Sequence, residues 1–164
     1  MALIHEKLYE SESLIKICLG EYVHSLLDNL FSSYGVSEKD VELQISVGEA
    51  DFGIDTIIPC ALIINELVSN SLKHAFPNLH QPGEEKNIIA IDLSRIGNRY
   101  VLRVSDNGIG LPKGFAIENS QSLGLKLVCV LVNQLKGTIE YRSDSLTKIT
   151  ITFDACKKQG GLKE

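Results

Sequence analysis

The stretch from Asp55 to Phe76, closed by Pro77, constrains the fold most, because it is long, apolar and carries its polar residues in one stripe. A helix advances about 100° per residue. With Glu66 at the origin, Asn70 falls at about 40°, Lys73 at about 340° and His74 at about 80°. Ile64, Val68, Leu72 and Ala75 fall between about 160° and about 240°, on the opposite side. A helix so divided must lay its apolar face on another element. Pro77 cannot continue it and turns the preceding residue away from helical geometry.

The neighbouring segments supply that element. Glu42 to Val47 alternates polar and apolar residues, the period of a half-buried strand. Strands are expected near Ile88 to Ser94 and Tyr100 to Ser105, joined through Gly97-Asn98 as a hairpin. A second pair is expected at Thr138 to Arg142 and Lys148 to Phe153. Two further helices are expected. One runs from about Glu21 to Tyr34, with Val23, Leu26, Leu27, Leu30 and Phe31 on one face and Gly35 as its cap. The other runs from about Leu123 to Leu135, followed by Gly137. This order predicts an α/β (α+β) fold: a two-layer sandwich in which helices cover one face of a mixed, mainly antiparallel sheet. At 164 residues and 44% hydrophobic content, the chain can bury one core and no second.

Charge and cysteine usage exclude several function classes. A net charge of -5 with no basic cluster argues against nucleic acid as a partner, since phosphate needs a cationic footprint. No run approaches the ~18 apolar residues of a membrane span, and the first residues lack a secretory signal pattern, so a cytoplasmic location without membrane contact is expected. Cys18, Cys60, Cys129 and Cys156 form no closely spaced pair, so neither a metal cluster nor a disulfide scaffold is expected; three lie in apolar runs, as buried reduced thiols do. Met1, Ile4, Leu8, Ile15, Cys18 and Tyr22 follow a 3-4 spacing interrupted by Ser11, which suggests a helix over residues 1–10 and then a connector. Residues 157–164 read as a solvated tail.

Three segments carry candidate chemistry. On the long helix, Glu66, Asn70 and Lys73 set an acid, an amide and a cation on successive turns. An amide oxygen suits a hard cation such as Mg²⁺, an ammonium suits phosphate, and a carboxylate can orient or deprotonate a nucleophile. The same stripe is also what an ordinary exposed helix face looks like. Next, Val104 to Pro112 ends a strand in D-x-G-x-G, Asp106 to Gly110. Glycines there permit positive φ and close backbone approach to a flat ligand. Asp106 can accept a hydrogen bond from an exocyclic amino group, which adenine has and guanine lacks at that edge. A plain turn is the alternative at this point. Last, Ser122 to Val128 opens a helix with Gly124 in its first turn, where unpaired N–H groups suit a phosphate or where elements simply pack closely.

In this order the three segments resemble the ATP-binding (Bergerat) fold shared by gyrase, MutL, chaperone-type ATPases and sensor histidine kinases, over roughly residues 20 to 154. Glu66 to His74 is similar to the N box, Asp106-Asn107-Gly108-Ile109-Gly110 to the first glycine box, and Leu123-Gly124-Leu125 to the second. Thr147 stands where the superfamily often places a threonine near the adenine carboxylate. The resemblance implies ATP and Mg²⁺ as cofactors, with the metal on Asn70. It implies nucleotide contacts from Asn70, Lys73, His74, Asp106, Gly108, Gly110, Leu123, Gly124, Leu125 and Thr147, and a catalytic role for Glu66.

Within the superfamily, NELVSNSLKHAFP (Asn65 to Pro77) is closest to sensor histidine kinases, and Leu3 to Tyr9 resembles the end of their dimerisation domain. By that resemblance residues 1–19 end a dimerisation and phosphoacceptor region, 20–154 form the ATP-binding catalytic domain, and 155–164 are a flexible tail. The implied reaction moves the γ-phosphoryl of ATP to a histidine and then to a response regulator, within a homodimer. The sequence departs from the pattern in three places. No phosphoacceptor histidine stands upstream, since His5, His24 and His80 lie outside the expected pattern; the second glycine box keeps only Gly124; and Leu111 to Ser122 is a short lid. An anti-sigma-factor-type serine kinase, or a degenerate nucleotide-binding module without turnover, are therefore the competing expectations.

Overall fold

A computed structural model describes residues 19–48, 52–79, 86–112, 114–117, 120–144 and 146–154. The helix over residues 1–10, the connector after it, the C-terminal tail, Cys18 and Cys156 lie outside the described residues.

Helix α1 (Leu19–Tyr34) buries Leu19, Val23, Leu27 and Phe31, which recur every four residues and form one stripe. It ends as Gly35 was expected to end it. Gly35 takes φ +63°, its N–H reaches the Ser32 carbonyl, and the Val36 N–H reaches the Phe31 carbonyl, so two terminal acceptors are satisfied. Strand β1 (Val41–Val47) follows. The long helix is α2 (Ile54–Asn70), and it continues into a single π-helical turn, Ser71–Ala75. Then come β2 (Asn87–Ile96), β3 (Arg99–Asp106), helix α3 (Leu123–Gln134), β4 (Thr138–Ser143) and β5 (Thr147–Asp154).

The five strands form one sheet in the order β1-β2-β3-β5-β4. Strands β1 and β2 pair in parallel, Val41 beside Asn87, because α2 returns the chain across the sheet between them. The remaining pairs are antiparallel. Gly97, at φ +62°, turns the β2–β3 hairpin. Alternate residues Ile89, Ile91 and Leu93 of β2, Leu102 and Val104 of β3, and Ile149, Ile151 and Phe153 of β5 point inward. They meet Val23 and Leu27 of α1, Ile64, Leu67 and Val68 of α2, and Val128 and Leu131 of α3. This is the expected two-layer sandwich with a mixed, mainly antiparallel sheet.

One local expectation shifts. Asp106 is the last residue of β3, in register with Ile89 and Thr147, so the sheet holds its backbone as it would not hold a loop residue. At the end of α3 the left-handed residue is Lys136, at φ +52°, one position before Gly137. Gly137 is required for another reason: a Cβ there would lie 2.7 Å from the Thr152 carbonyl oxygen.

Candidate functional site

The π turn brings the site together. Such a turn hydrogen-bonds one residue further along than an α turn, and it tends to occur at functional positions. Beyond Asn70 the 100° step no longer holds, so the turn re-aims every side chain from Ser71 onward. It faces the end of β3, the start of β5, the lid segment after Gly110 and the first turns of α3. A cleft of about 380 Å³ opens between them, within the size range of small-ligand sites. Its walls are largely apolar, with Leu67, Val104, Leu125 and Ile149 among them, and its polar groups are few.

Asp106 is the best-held of those groups. It is 6% exposed. Its Oδ2 accepts a hydrogen bond from the Ser71 hydroxyl at 2.7 Å, and its Oδ1 accepts from the Gly108 N–H at 3.1 Å. Thr147, also buried, stands opposite it on β5. Across the cleft, the Asn70 side-chain nitrogen is buried without a hydrogen-bond partner, although Asn70 borders the cavity. Buried amides nearly always find a partner, so this one marks a place where a ligand completes the set.

Of the residues singled out from the sequence, Asn70, His74, Asp106, Gly110, Leu125 and Thr147 border the cleft. Glu66, Lys73, Gly108, Leu123 and Gly124 do not line it. Glu66 sits against the first turn of α3, where a Cβ on Gly124 would meet its Oε2 at 2.5 Å. Lys73 lies over the Tyr34 ring, 5.8 Å from its centre, and Tyr34 shares a 2.7 Å hydrogen bond with Ser69. Burial pushes the Tyr34 phenol up, but the hydrogen bonds with Ser69 and Lys73 and the Lys73 charge outweigh it and hold the phenol below its ordinary value. Leu123 is 83% exposed.

The two glycines of the D-x-G-x-G segment do different jobs. Gly110 has the positive φ (+80°) that the motif anticipates. Gly108 is needed because a Cβ would come within 2.3 Å of the Ala75 carbonyl oxygen, the same oxygen that accepts from the Ile109 N–H at 2.9 Å. The intervening Asn107 locks the segment to β2 by accepting from the Ile88 N–H and donating to the Lys86 carbonyl.

Sequence reading missed Ser71 and Phe115. Ser71 carried a usable signal, because a hydroxyl on the buried side of a helix must find a partner. Phe115 gave none. It borders the cleft because the Tyr141 hydroxyl donates to its carbonyl and their rings meet edge to face, while the Leu111 N–H donates to Ser143 at 2.9 Å.

Comparison with known proteins decides the family. The family model described as "Histidine kinase-, DNA gyrase B-, and HSP90-like ATPase" matches residues 55–157. The chain belongs to this ATPase family. A second family model, described as "Histidine kinase", matches residues 1–34 and so runs into α1. The sensor histidine kinase PdtaS of Mycobacterium tuberculosis is 32% identical over 147 residues, covering 87% of this chain and 27% of that protein. The chain thus spans about a quarter of the length of this curated relative. Among solved structures, the histidine kinase domain of the blue-light activated histidine kinase EL346 from Erythrobacter litoralis superposes with a TM-score of 0.78 at 19% identity, over 93% of this chain and 70% of that one. The mycobacterial sensor histidine kinase MprB gives 0.63 at 17% identity, over 85% of this chain and 97% of that one. The fold is that of histidine kinase ATP-binding domains, and the chain carries an ATP-binding catalytic domain of the sensor histidine kinase kind. No helix among the described residues is long and apolar enough to cross a membrane.

Proposed function

We propose that this chain binds Mg-ATP in the cleft beside Asp106 and passes the γ-phosphoryl to a histidine on a helical phosphoacceptor domain, for relay to a response regulator. The observation that carries the reading is the buried Asp106 carboxylate, pinned on both oxygens and facing a cavity of ligand size. A carboxylate so held accepts hydrogen bonds and offers none, which suits the exocyclic amino group of adenine. Leu67, Val104 and Ile149 give a flat base an apolar bed, and Thr147 supplies a hydroxyl at the same end.

The phosphate end lies toward Asn70, His74 and the start of α3. No group of three His, Cys, Asp or Glu residues that would hold a metal exists among the described residues. A Mg²⁺ ion here would therefore be held by nucleotide phosphates, water and the Asn70 amide, the kind of sparse protein coordination Mg²⁺ accepts. The Asn70 Oδ1 is the atom that would meet the ion, while the unpartnered Nδ2 is a donor suited to a phosphate oxygen. When bound, the metal neutralises charge on the phosphate oxygens. Lys73 adds a cation once it leaves the Tyr34 ring, Gly124 gives the chain room at the start of α3, and Glu66 orients or deprotonates the attacking histidine. Residues 20–154 form this ATP-binding unit, residues 1–19 end a dimerisation region, and 155–164 form a tail. A cytoplasmic, homodimeric full-length kinase completes the reading.

The histidine kinase match over residues 1–34 and the likeness to PdtaS favour a histidine over a serine as acceptor. The test incubates the chain with γ-labelled ATP and a separately supplied phosphoacceptor domain. Acid-labile label on a histidine of that domain is expected. Acid-stable label on a serine, or no transfer while calorimetry records ATP binding, would overturn the kinase reading. Absence of binding heat with Mg-ATP would leave the chain a module without nucleotide.

A further inference from the structure

One buried hydroxyl enters the reading above only as a restraint on Asp106. Ser71 opens the π turn, is 8% exposed and lines the cleft. Its single proton has two acceptors in reach: the Leu67 carbonyl at 3.3 Å and Asp106 Oδ2 at 2.7 Å. The Leu67 carbonyl already accepts from the Ser71 backbone N–H, so it has no unmet need. Hydrogen bonds to a charged acceptor are shorter and stronger than neutral ones, and the proton goes to Asp106.

We propose that Ser71 is a specificity-determining residue of the nucleotide site: its hydroxyl fixes the plane of the Asp106 carboxylate so that the acceptor positions left over select an amino group against a carbonyl on the bound base. The inference rests on the assignment of adenine to Asp106. With Ser71 on one oxygen and the Gly108 N–H on the other, the carboxylate cannot rotate without losing a donor. A 6-aminopurine therefore pairs, and a 6-oxopurine sets oxygen against oxygen. Without the Ser71 hydroxyl only Gly108 restrains the group, which is then free to turn, so its lone pairs no longer hold the orientation that separates an amino group from a carbonyl.

The experiment measures dissociation constants of ATP and inosine triphosphate, by calorimetry with Mg²⁺, for the full chain and for Ser71→Ala, Ser71→Cys and Asp106→Asn. Thermal melts without nucleotide confirm that each variant is folded. Ser71→Ala is expected to weaken ATP by about tenfold, the worth of one hydrogen bond of ordinary strength, while inosine triphosphate weakens less or tightens, so the preference for ATP shrinks. The thiol of Ser71→Cys, a weak donor, should give an intermediate preference, and it carries the test if the alanine variant does not fold. Equal weakening of both nucleotides in the Ser71 variants, or an unchanged preference, would overturn the proposal. If Asp106→Asn abolishes the preference while the Ser71 variants keep it, the Ser71 inference alone fails. If Asp106→Asn also leaves the preference intact, the adenine assignment fails, and the proposal with it.

Discussion

Replacing Gly108 by alanine separates a packing requirement from a ligand requirement. The D-x-G-x-G motif suggests that Gly108 is small so that a nucleotide can approach, whereas its hydrogen faces the π turn. A Cβ would stand 2.3 Å from the Ala75 oxygen, 2.5 Å from the Ala75 Cβ and 2.7 Å from the Ala75 carbonyl carbon. These are backbone and short side-chain atoms that cannot swing aside, so the π turn and the β3 end must part by roughly 1 Å to restore van der Waals separation. Overpacking of this kind costs about 1–3 kcal/mol. The Ile109 to Ala75 hydrogen bond, at 2.9 Å, is strained or lost with it, for about 1 kcal/mol more. A total of about 2–4 kcal/mol lowers the melting temperature of a domain this size by roughly 4–16 °C. Scanning calorimetry of the nucleotide-free protein reads this directly. Gly53→Ala is the control, since a Cβ at Gly53 meets nothing within 4 Å. If Gly108→Ala melts together with that control while losing ATP affinity, Gly108 serves the ligand and the packing argument is wrong.

Two further substitutions and reactions test other parts of the fold. Lys136 occupies a left-handed position, φ +52°, which costs a residue with a Cβ about 1 kcal/mol or more, so Lys136→Gly should raise stability by about 1 kcal/mol, seen as a higher urea midpoint at unchanged slope. Gly137→Ala should do the reverse, because its Cβ would press on the Thr152 carbonyl. Burial pushes the Cys60 thiol up to about 12 from an ordinary value of 9.0, and only thiolates are reactive, so mass spectrometry after iodoacetamide at pH 8 should find Cys60 unmodified in the folded chain and modified in urea. Because this folded value lies above the unfolded one, the thiol's contribution to stability is complete below about pH 9 and is lost as pH climbs toward 12; a urea midpoint that held constant from pH 8 to 11 would contradict it.

Periodicity carried most of the architecture. The stripe on α1, the alternation in β1 and the Gly97 hairpin each rest on patterns close in sequence, which is why their positions agree with the structure to within a few residues. The site was legible only in part, for a definite reason. Asn70 and Asp106 stand at positions where the regular α and β geometries still hold, so counting residues located them. Lys73 and Ser71 lie in the π turn, where the helical step changes, and nothing in the composition of SLKHA announces such a turn. Lys73 consequently rests on Tyr34, while Ser71, silent in the motif, reaches Asp106. Gly108 was recognised by motif, but its contact with Ala75, distant in sequence, is a packing requirement that the motif did not announce.

The parallel pairing of β1 with β2 has a consequence for how the cleft comes into being. Strands β2, β3, β4 and β5 are built around two hairpins, whereas Val41 finds Asn87 only after the whole of α2 has been laid down between them. Contacts that close long loops carry the larger entropic cost and govern the rate at which a topology forms. Asn70 and Ser71 belong to the segment inside that loop, and Asp106 and Thr147 to the hairpins outside it. The β3–β5 pairing of Asp106 with Thr147 closes a span of similar length, so the cleft is a seam where three separately built pieces meet. A chain that has made only its hairpins has no site, and nucleotide binding during refolding would report the moment the long-range pairings are complete.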